Sequence, residues 1–311
     1  MRCHGAAARA RRSDSEGYRE VGRRRTVLND IEMKVYQYVD SAGTTCEDLA
    51  NATDAGAWVL DGASGAERAG ITDSPTDGRW YVERLDAYLA SSLSAAASLP
   101  EVVREGLGVV ASDYRSFEGS RDTGVIHHPL AAAALVRFDD GYVEYLLSAD
   151  CNLAIERPDG TVETVLGDGP RALDQRVVDE IQRRKDSENL THMAAKRATR
   201  ELIVENRRQL NIPSGYWALS FNERAVDHAR GSTLSTADID AVALFSDGFE
   251  RLTERYDALG YETLFETVRE DGAEPLFDEL RRIEREDEAC EMYPRIKPRD
   301  DAALLVVDLK R

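Results

Sequence analysis

Ile31, Met33 and Val35 alternate with Glu32 and Lys34, the two-residue period of a half-buried strand. The continuous apolar run Ala57-Trp58-Val59-Leu60 reads as a second strand ending at Asp61-Gly62, and beyond it Tyr81, Leu85, Tyr88 and Leu89 recur at helical spacing. Residues 101–114 carry another helical pattern. Two hairpins follow: 131–138 with 142–147 around Asp139-Asp140-Gly141, and 151–156 with 161–165 around Pro158-Asp159-Gly160. Residues 172–208 predict one long helical region, with Leu190, Ala194, Ala198 and Leu202 at four-residue steps. Residues 217–219 and 241–246 then read as strands, 249–283 as largely helical, and 302–309 as a closing strand. Strands in hairpins, with helices inserted in blocks, predict an α+β layered domain and not a βαβ repeat. Residues 1–26 break this pattern with eight arginines and no apolar period, and read as a disordered basic arm before a single domain over 27–311.

Composition narrows the classes. The 311 residues contain no Pro/Gly/Ser-rich linker, and 42% hydrophobic content suffices for a sizeable core. The apolar stretches fall far short of the ~20 residues of a membrane span. Cys3, Cys46, Cys151 and Cys290 stand far apart without CxxC spacing, so neither a disulfide framework nor a zinc site is expected, and a reducing cytoplasm is. A formal charge of -18 argues against generic binding to nucleic acid or an anionic membrane. Only five of the 40 basic residues are Lys, a balance that suits a salt-rich cytoplasm and codon bias toward Arg alike.

Candidate chemistry lies in the acidic residues. Of seven Asp-Gly pairs, those at 77, 140, 159, 168 and 271 read as ordinary turns. The other two, Asp61-Gly62 and Asp247-Gly248, each follow an apolar strand-like run, and Arg299-Asp300-Asp301 immediately precedes another. Three carboxylates on strand ends converge only if something cationic offsets their repulsion, and a divalent metal is the usual candidate.

In chain order the pieces are Glu47-Asp48, Val59-Leu60-Asp61-Gly62-Ala63-Ser64-Gly65, Ser148-Ala149-Asp150-Cys151, Phe245-Ser246-Asp247-Gly248 and Arg299-Asp300-Asp301-Ala302. This succession resembles the metal-dependent protein phosphatase family of PP2C (PPM) type, from about residue 45 to 309. The resemblance implies a four-layer α-β-β-α sandwich, two antiparallel sheets face to face with helices on both outer faces. It also implies two Mg²⁺ or Mn²⁺ ions at one end. By position, Asp61 bridges both ions, Asp247 and Asp300 complete one, the Gly62 carbonyl helps hold the other, and Glu47 and Asp48 orient metal-bound waters. Asp150 is a candidate ligand for a third ion. The implied activity is phosphomonoester hydrolysis by a hydroxide held between two metals, with phosphoserine or phosphothreonine proteins as substrates. A small-molecule phosphatase and a regulatory module with little turnover are the alternatives.

The chain departs from that family at several places. Ala63-Ser64 stand where many members have a His after the bridging Asp-Gly, residues 41–45 lack the phosphate-gripping Arg, and Asp301 replaces an Asn. Outside the motifs, His127-His128 read as loop or strand-edge residues, and His192 and His228 as surface. Trp58, Trp80 and Trp217 read as core anchors, and 282–288 as a solvated helix face.

Overall fold

The computed structural model describes residues 8–14, 17–28, 31–66, 70–94, 97–120 and 124–309. Its strands are β1 (Ala8–Asp14), β2 (Gly17–Leu28), β3 (Ile31–Asp40), β4 (Asp48–Ala52), β5 (Gly56–Ala63), β6 (Leu130–Asp139), β7 (Tyr142–Ser148), β8 (Asn152–Glu156), β9 (Val162–Val165), β10 (Arg230–Ser235), β11 (Ala241–Phe245) and β12 (Ala302–Asp308). One sheet has the order β1-β2-β3-β12-β11-β8-β9 and the other β10-β7-β6-β5-β4. Every ladder between these strands is antiparallel.

The central strands are buried on both faces, which is why they read as unbroken apolar runs. From β11, Val242 and Leu244 enter the space between the sheets, where they join Val59, Ala134, Leu153 and Leu305. Ala243 and Phe245 of the same strand point outward to meet helices α7 (Tyr261–Glu270) and α8 (Glu274–Glu286) through Phe265, Phe277 and Leu280. On the other side Trp58 and Leu60 pack against α1 (Asp77–Ser92) and α2 (Leu99–Tyr114) through Tyr81, Leu85, Val103 and Leu107. The result is the expected α-β-β-α stack, each sheet burying one face on the other and one on helices.

Several local expectations change. The long helix over 172–208 is three: α3 (Arg171–Glu188), α4 (His192–Ala198) and α5 (Arg200–Arg207). Asn189 ends α3 in the left-handed conformation, φ 51°, a stop that the periodicity concealed. Residues 217–219 make only one isolated bridge, Leu219 to Ala131, while β10 was missed because its residues are mostly exposed and lack an apolar alternation. Asp77-Gly78 is no turn: Thr76 caps α1, and buried Asp77 accepts the N–H groups of Ile71 and Thr72. His192 is buried with Nε2 3.2 Å from the Ile296 carbonyl, not at the surface. Within the supposed solvated face, Glu284 is wholly buried and held by Arg251 and Arg281. Trp58 and Trp80 are core residues as read, whereas half-buried Trp217 stacks on exposed His228 with ring centroids 3.7 Å apart.

The basic arm also needs correction where it is described. Residues 8–14 and 17–26 run as strands at the edge of the larger sheet, because β2 supplies backbone partners along the full length of β3. Residues 1–7 and 15–16 of that arm, Cys3 among them, lie outside the described residues.

Candidate active site

Sheet register brings the acidic motifs together. Asp48 lies directly opposite Asp61 in the β4–β5 ladder, so their side chains share a face. In the other sheet Phe245 pairs with Leu304, which carries Asp247, at the start of α6 (Asp247–Glu250), and Asp300, just before β12, to one end. Asp150 follows β7 at that same end. Asp61, Asp150, Asp247 and Asp300 all line one cleft of about 870 Å³. Asp48 is buried, and its Oδ2 has no hydrogen-bond partner.

The two strand-end Asp-Gly pairs owe their glycines to close packing. Gly141, Gly160 and Gly272 take positive φ in turns, as read from the sequence, but Gly62 and Gly248 do not. A β-carbon on Gly62 would lie 2.6 Å from the Glu47 carbonyl oxygen, and one on Gly248 would meet the Asp301 carbonyl oxygen at 1.9 Å. Each glycine therefore admits the backbone of the next acidic motif, Glu47-Asp48 against Gly62 and Asp300-Asp301 against Gly248.

The carboxylates strain one another. Burial, then the charge of Asp301, pushes Asp48 well above the usual range; burial, then Asp48 and Asp247, does so for Asp61. Asp150 is pushed up to about 8 by burial and Asp247. Asp174, on α3 and in the same cleft, rises to about 6 for the same two reasons. Asp300 is the exception. Burial acts to raise it, but Lys297 and Arg251 outweigh burial and hold it below the ordinary carboxylate value. Lys297 Nζ lies 2.6 Å from Asp300 Oδ1, and Arg251 Nη2 lies 2.6 Å from Oδ2.

Asp301 has a separate task. Its Oδ1 accepts the Ala42 N–H at 2.7 Å and the Ser41 hydroxyl at 3.3 Å, while Oδ2 accepts the Glu47 N–H at 2.7 Å. It thus pins residues 41–47 to the site. Glu47 accepts the Ser64 hydroxyl, which in turn accepts the Gly78 N–H at 3.0 Å.

Oxygen donors alone, buried and mutually repelling, suit a hard divalent cation such as Mg²⁺ or Mn²⁺. The orphaned Asp48 Oδ2 adds an acceptor in want of a partner. As the side chains are placed, no three His, Cys, Asp or Glu residues among those described stand close enough to ligate one ion. A thiolate nucleophile is disfavoured. Burial first, then Asp48 for Cys46 and Asp61 for Cys151, drives both thiols up, away from the reactive form.

Solved structures share this architecture. The Mycobacterium tuberculosis serine/threonine phosphatase PstP/Ppp aligns with a TM-score of 0.53 and 16% identity, covering 90% of this chain and 99% of its own. The fold is that of the PP2C-type phosphatases. Pseudomonas aeruginosa PppA, described as a key regulatory component of T6SS, aligns with a TM-score of 0.52 and 16% identity, over 89% of this chain and 97% of its own. The PstP catalytic domain in complex with two manganese ions aligns at 0.50 and 15%, over 90% and 99%. No protein-family profile matches the sequence, and neither does any curated protein.

On this PP2C-type fold the cleft contains groups that the sequence reading passed over: Arg251, Lys297, Asp174 and Arg207. The first two had a local signal, since Arg251 follows Asp247 by four positions and Lys297 precedes Asp300 by three. Asp174 and Arg207 had none. Arg207 reaches the site from α5, donating to the His128 carbonyl at 3.0 Å, with the Ser64 carbonyl 3.5 Å away. His128 itself packs on Phe221 at 5.0 Å, and His127 ends a short 3-10 turn.

Proposed function

We propose that residues 27–311 form a Mg²⁺- or Mn²⁺-dependent phosphomonoester hydrolase acting on phosphoserine or phosphothreonine in proteins. The convergence of Asp61, Asp150, Asp247 and Asp300 on one cleft, in a PP2C-type fold, carries this reading. Asp61, Asp247, Asp300 and the Gly62 carbonyl would hold two ions, and Asp150 a third. Divalent cations bound there supply Lewis acidity, which activates water and polarises a phosphoryl oxygen. Asp48, opposite Asp61 in the ladder, and Glu47, which accepts the Ser64 hydroxyl, would orient metal-bound waters. Arg255 lies in the same cleft, donating to the Pro294 carbonyl, and with Lys297 brings positive charge toward a phosphate dianion. Three buried free thiols, Cys46, Cys151 and Cys290, fit a reducing cytoplasm, and no helix of the described residues is long and apolar enough to cross a membrane.

The deciding assay is hydrolysis of p-nitrophenyl phosphate with added Mn²⁺, then with chelator, in the parent and in Asp61→Asn. Metal-dependent turnover that falls about a hundredfold or more in the variant is expected. Equal rates after metal add-back would exclude the assignment. A regulatory module without turnover is the second reading, favoured by the engagement of both Asp300 oxygens by protein cations. No hydrolysis in this assay, with Mn²⁺ binding seen by calorimetry, would select it.

A further inference from the structure

The acidic cleft contains its own cation. Lys297 is one of only five lysines in the chain. Its ammonium lies 2.6 Å from Asp300 Oδ1, and the charges of Asp247 and Asp61 also act on it. It touches Asp300 and lines the same cleft as Asp61 and Asp247, the other two carboxylates that the family resemblance assigns to metal.

The two cations on Asp300 differ in freedom. Arg251 is buried and bonded at its other nitrogen to wholly buried Glu284 at 3.4 Å, so its departure would leave that carboxylate with Arg281 alone and would bury an unpaired guanidinium. The Lys297 side chain is 53% exposed and ends in a compact ammonium on a flexible four-carbon stem. The backbone beneath it is held. Arg295 Nη1 pairs with Asp287 Oδ2 at 2.7 Å and Nε donates to the Pro298 carbonyl at 3.1 Å, so the side chain can swing out while residues 295–298 stay in place.

We propose that Lys297 is a tethered competitor for the divalent cation: it occupies the Asp300 position in the metal-free protein, and an ion reaching Asp300 displaces it. This rests on the reading that the cleft binds divalent cations. The ion positions are then unequal. Among the described residues no salt bridge engages Asp61 or Asp150, whereas binding at Asp300 breaks one. The same exchange turns the ammonium toward the open cleft, where a phosphate is its available counter-ion.

Calorimetric titration of the metal-free full chain with Mn²⁺ tests this. The parent is expected to show one tighter step and one at least about tenfold weaker. Lys297→Met keeps the apolar stem and removes the charge; it should tighten the weaker step about tenfold and leave the tighter one unchanged. Lys297→Arg, which offers Asp300 a forked donor, should weaken that step further, and gives an independent reading if the Met variant does not fold. Superimposable isotherms for parent and folded variants would overturn the proposal, and with Mn²⁺-dependent hydrolysis intact they would leave the phosphatase reading standing. Absence of Mn²⁺ binding in all three proteins would overturn both.

Discussion

Asp48 and Asp61 are register partners across β4 and β5, two carboxylates on one face of a sheet in a site where burial holds both well above their usual range. Asp150, raised to about 8, completes a group that is protonated in the folded metal-free protein at pH values where the unfolded chain is ionised. The folded state then binds more protons, so stability is full below about pH 4 and falls as pH rises toward 8, by at most about 1.4 kcal/mol per pH unit per group. Thermal melts of chelated protein should show a midpoint falling from pH 4.5 to 8. Asp150→Asn should flatten that slope, and Mn²⁺ should restore the midpoint at pH 8 by binding the folded state. A parent and variant with parallel pH profiles would contradict this assignment.

Asp301→Asn, which restores the residue common in the PP2C family, should destabilise this chain. Asp301 accepts at both oxygens, from Ala42 and Ser41 on one and from Glu47 on the other. An amide must turn its NH₂ toward one of these donors, at a cost of about 1–3 kcal/mol. Denaturant unfolding measures the loss, and proteolysis within residues 41–47 should quicken. An unchanged midpoint would mean that the loop is held by other contacts.

Ala149, which precedes Asp150, holds the left-handed backbone that favours glycine, with φ 56°. The left-handed conformation costs a residue with a β-carbon roughly 1–2 kcal/mol. Ala149→Gly should therefore be neutral to stabilising, by up to about 1 kcal/mol once the added freedom of the unfolded chain is counted. Chemical denaturation is the measurement. A clear loss of stability would show that the buried Ala149 methyl group contributes more by packing than its backbone costs.

Without an Arg in residues 41–45, the parent should bind small aryl phosphates weakly, and without the family's His it should favour good leaving groups over phosphoserine peptides. Thr44 is exposed on the loop pinned by Asp301, so Thr44→Arg is expected to lower KM for aryl phosphate by about tenfold with kcat little changed. If KM is already low in the parent and does not move, another cleft cation, such as Arg207, Arg255 or Lys297, supplies the phosphate grip.

Much of this was legible without coordinates. The unbroken apolar runs of β5, β11 and β12 mark strands buried on both faces, and the positions of Asp247 and Asp300 just outside β11 and β12 followed from local pattern alone, whereas β5 runs two residues past Asp61 to Ala63. The helical blocks and the tight turns at Gly141, Gly160 and Gly272 were equally local. So was the demand that three such carboxylates be met by positive charge. Elements without an apolar period were not legible: exposed β10, the edge pairing of β1 and β2, and the Asn189 break in a helix whose periodicity runs on past it.

Tertiary structure decided which charge meets those carboxylates. Register placed Asp48 opposite Asp61, and the β11–β12 pairing brought Asp247 and Asp300 to one end; both are relations between residues far apart in sequence, set by backbone hydrogen bonding that no local pattern encodes. Packing showed that Gly62 and Gly248 admit passing backbone and do not turn the chain. It also buried Glu284 and His192, which composition assigned to solvent, because the faces that cover them come from distant segments. The sequence called for a cation at Asp300 and suggested a metal; only the folded chain brought Lys297 and Arg251 there, since the energy of a buried charge depends on what surrounds it in three dimensions.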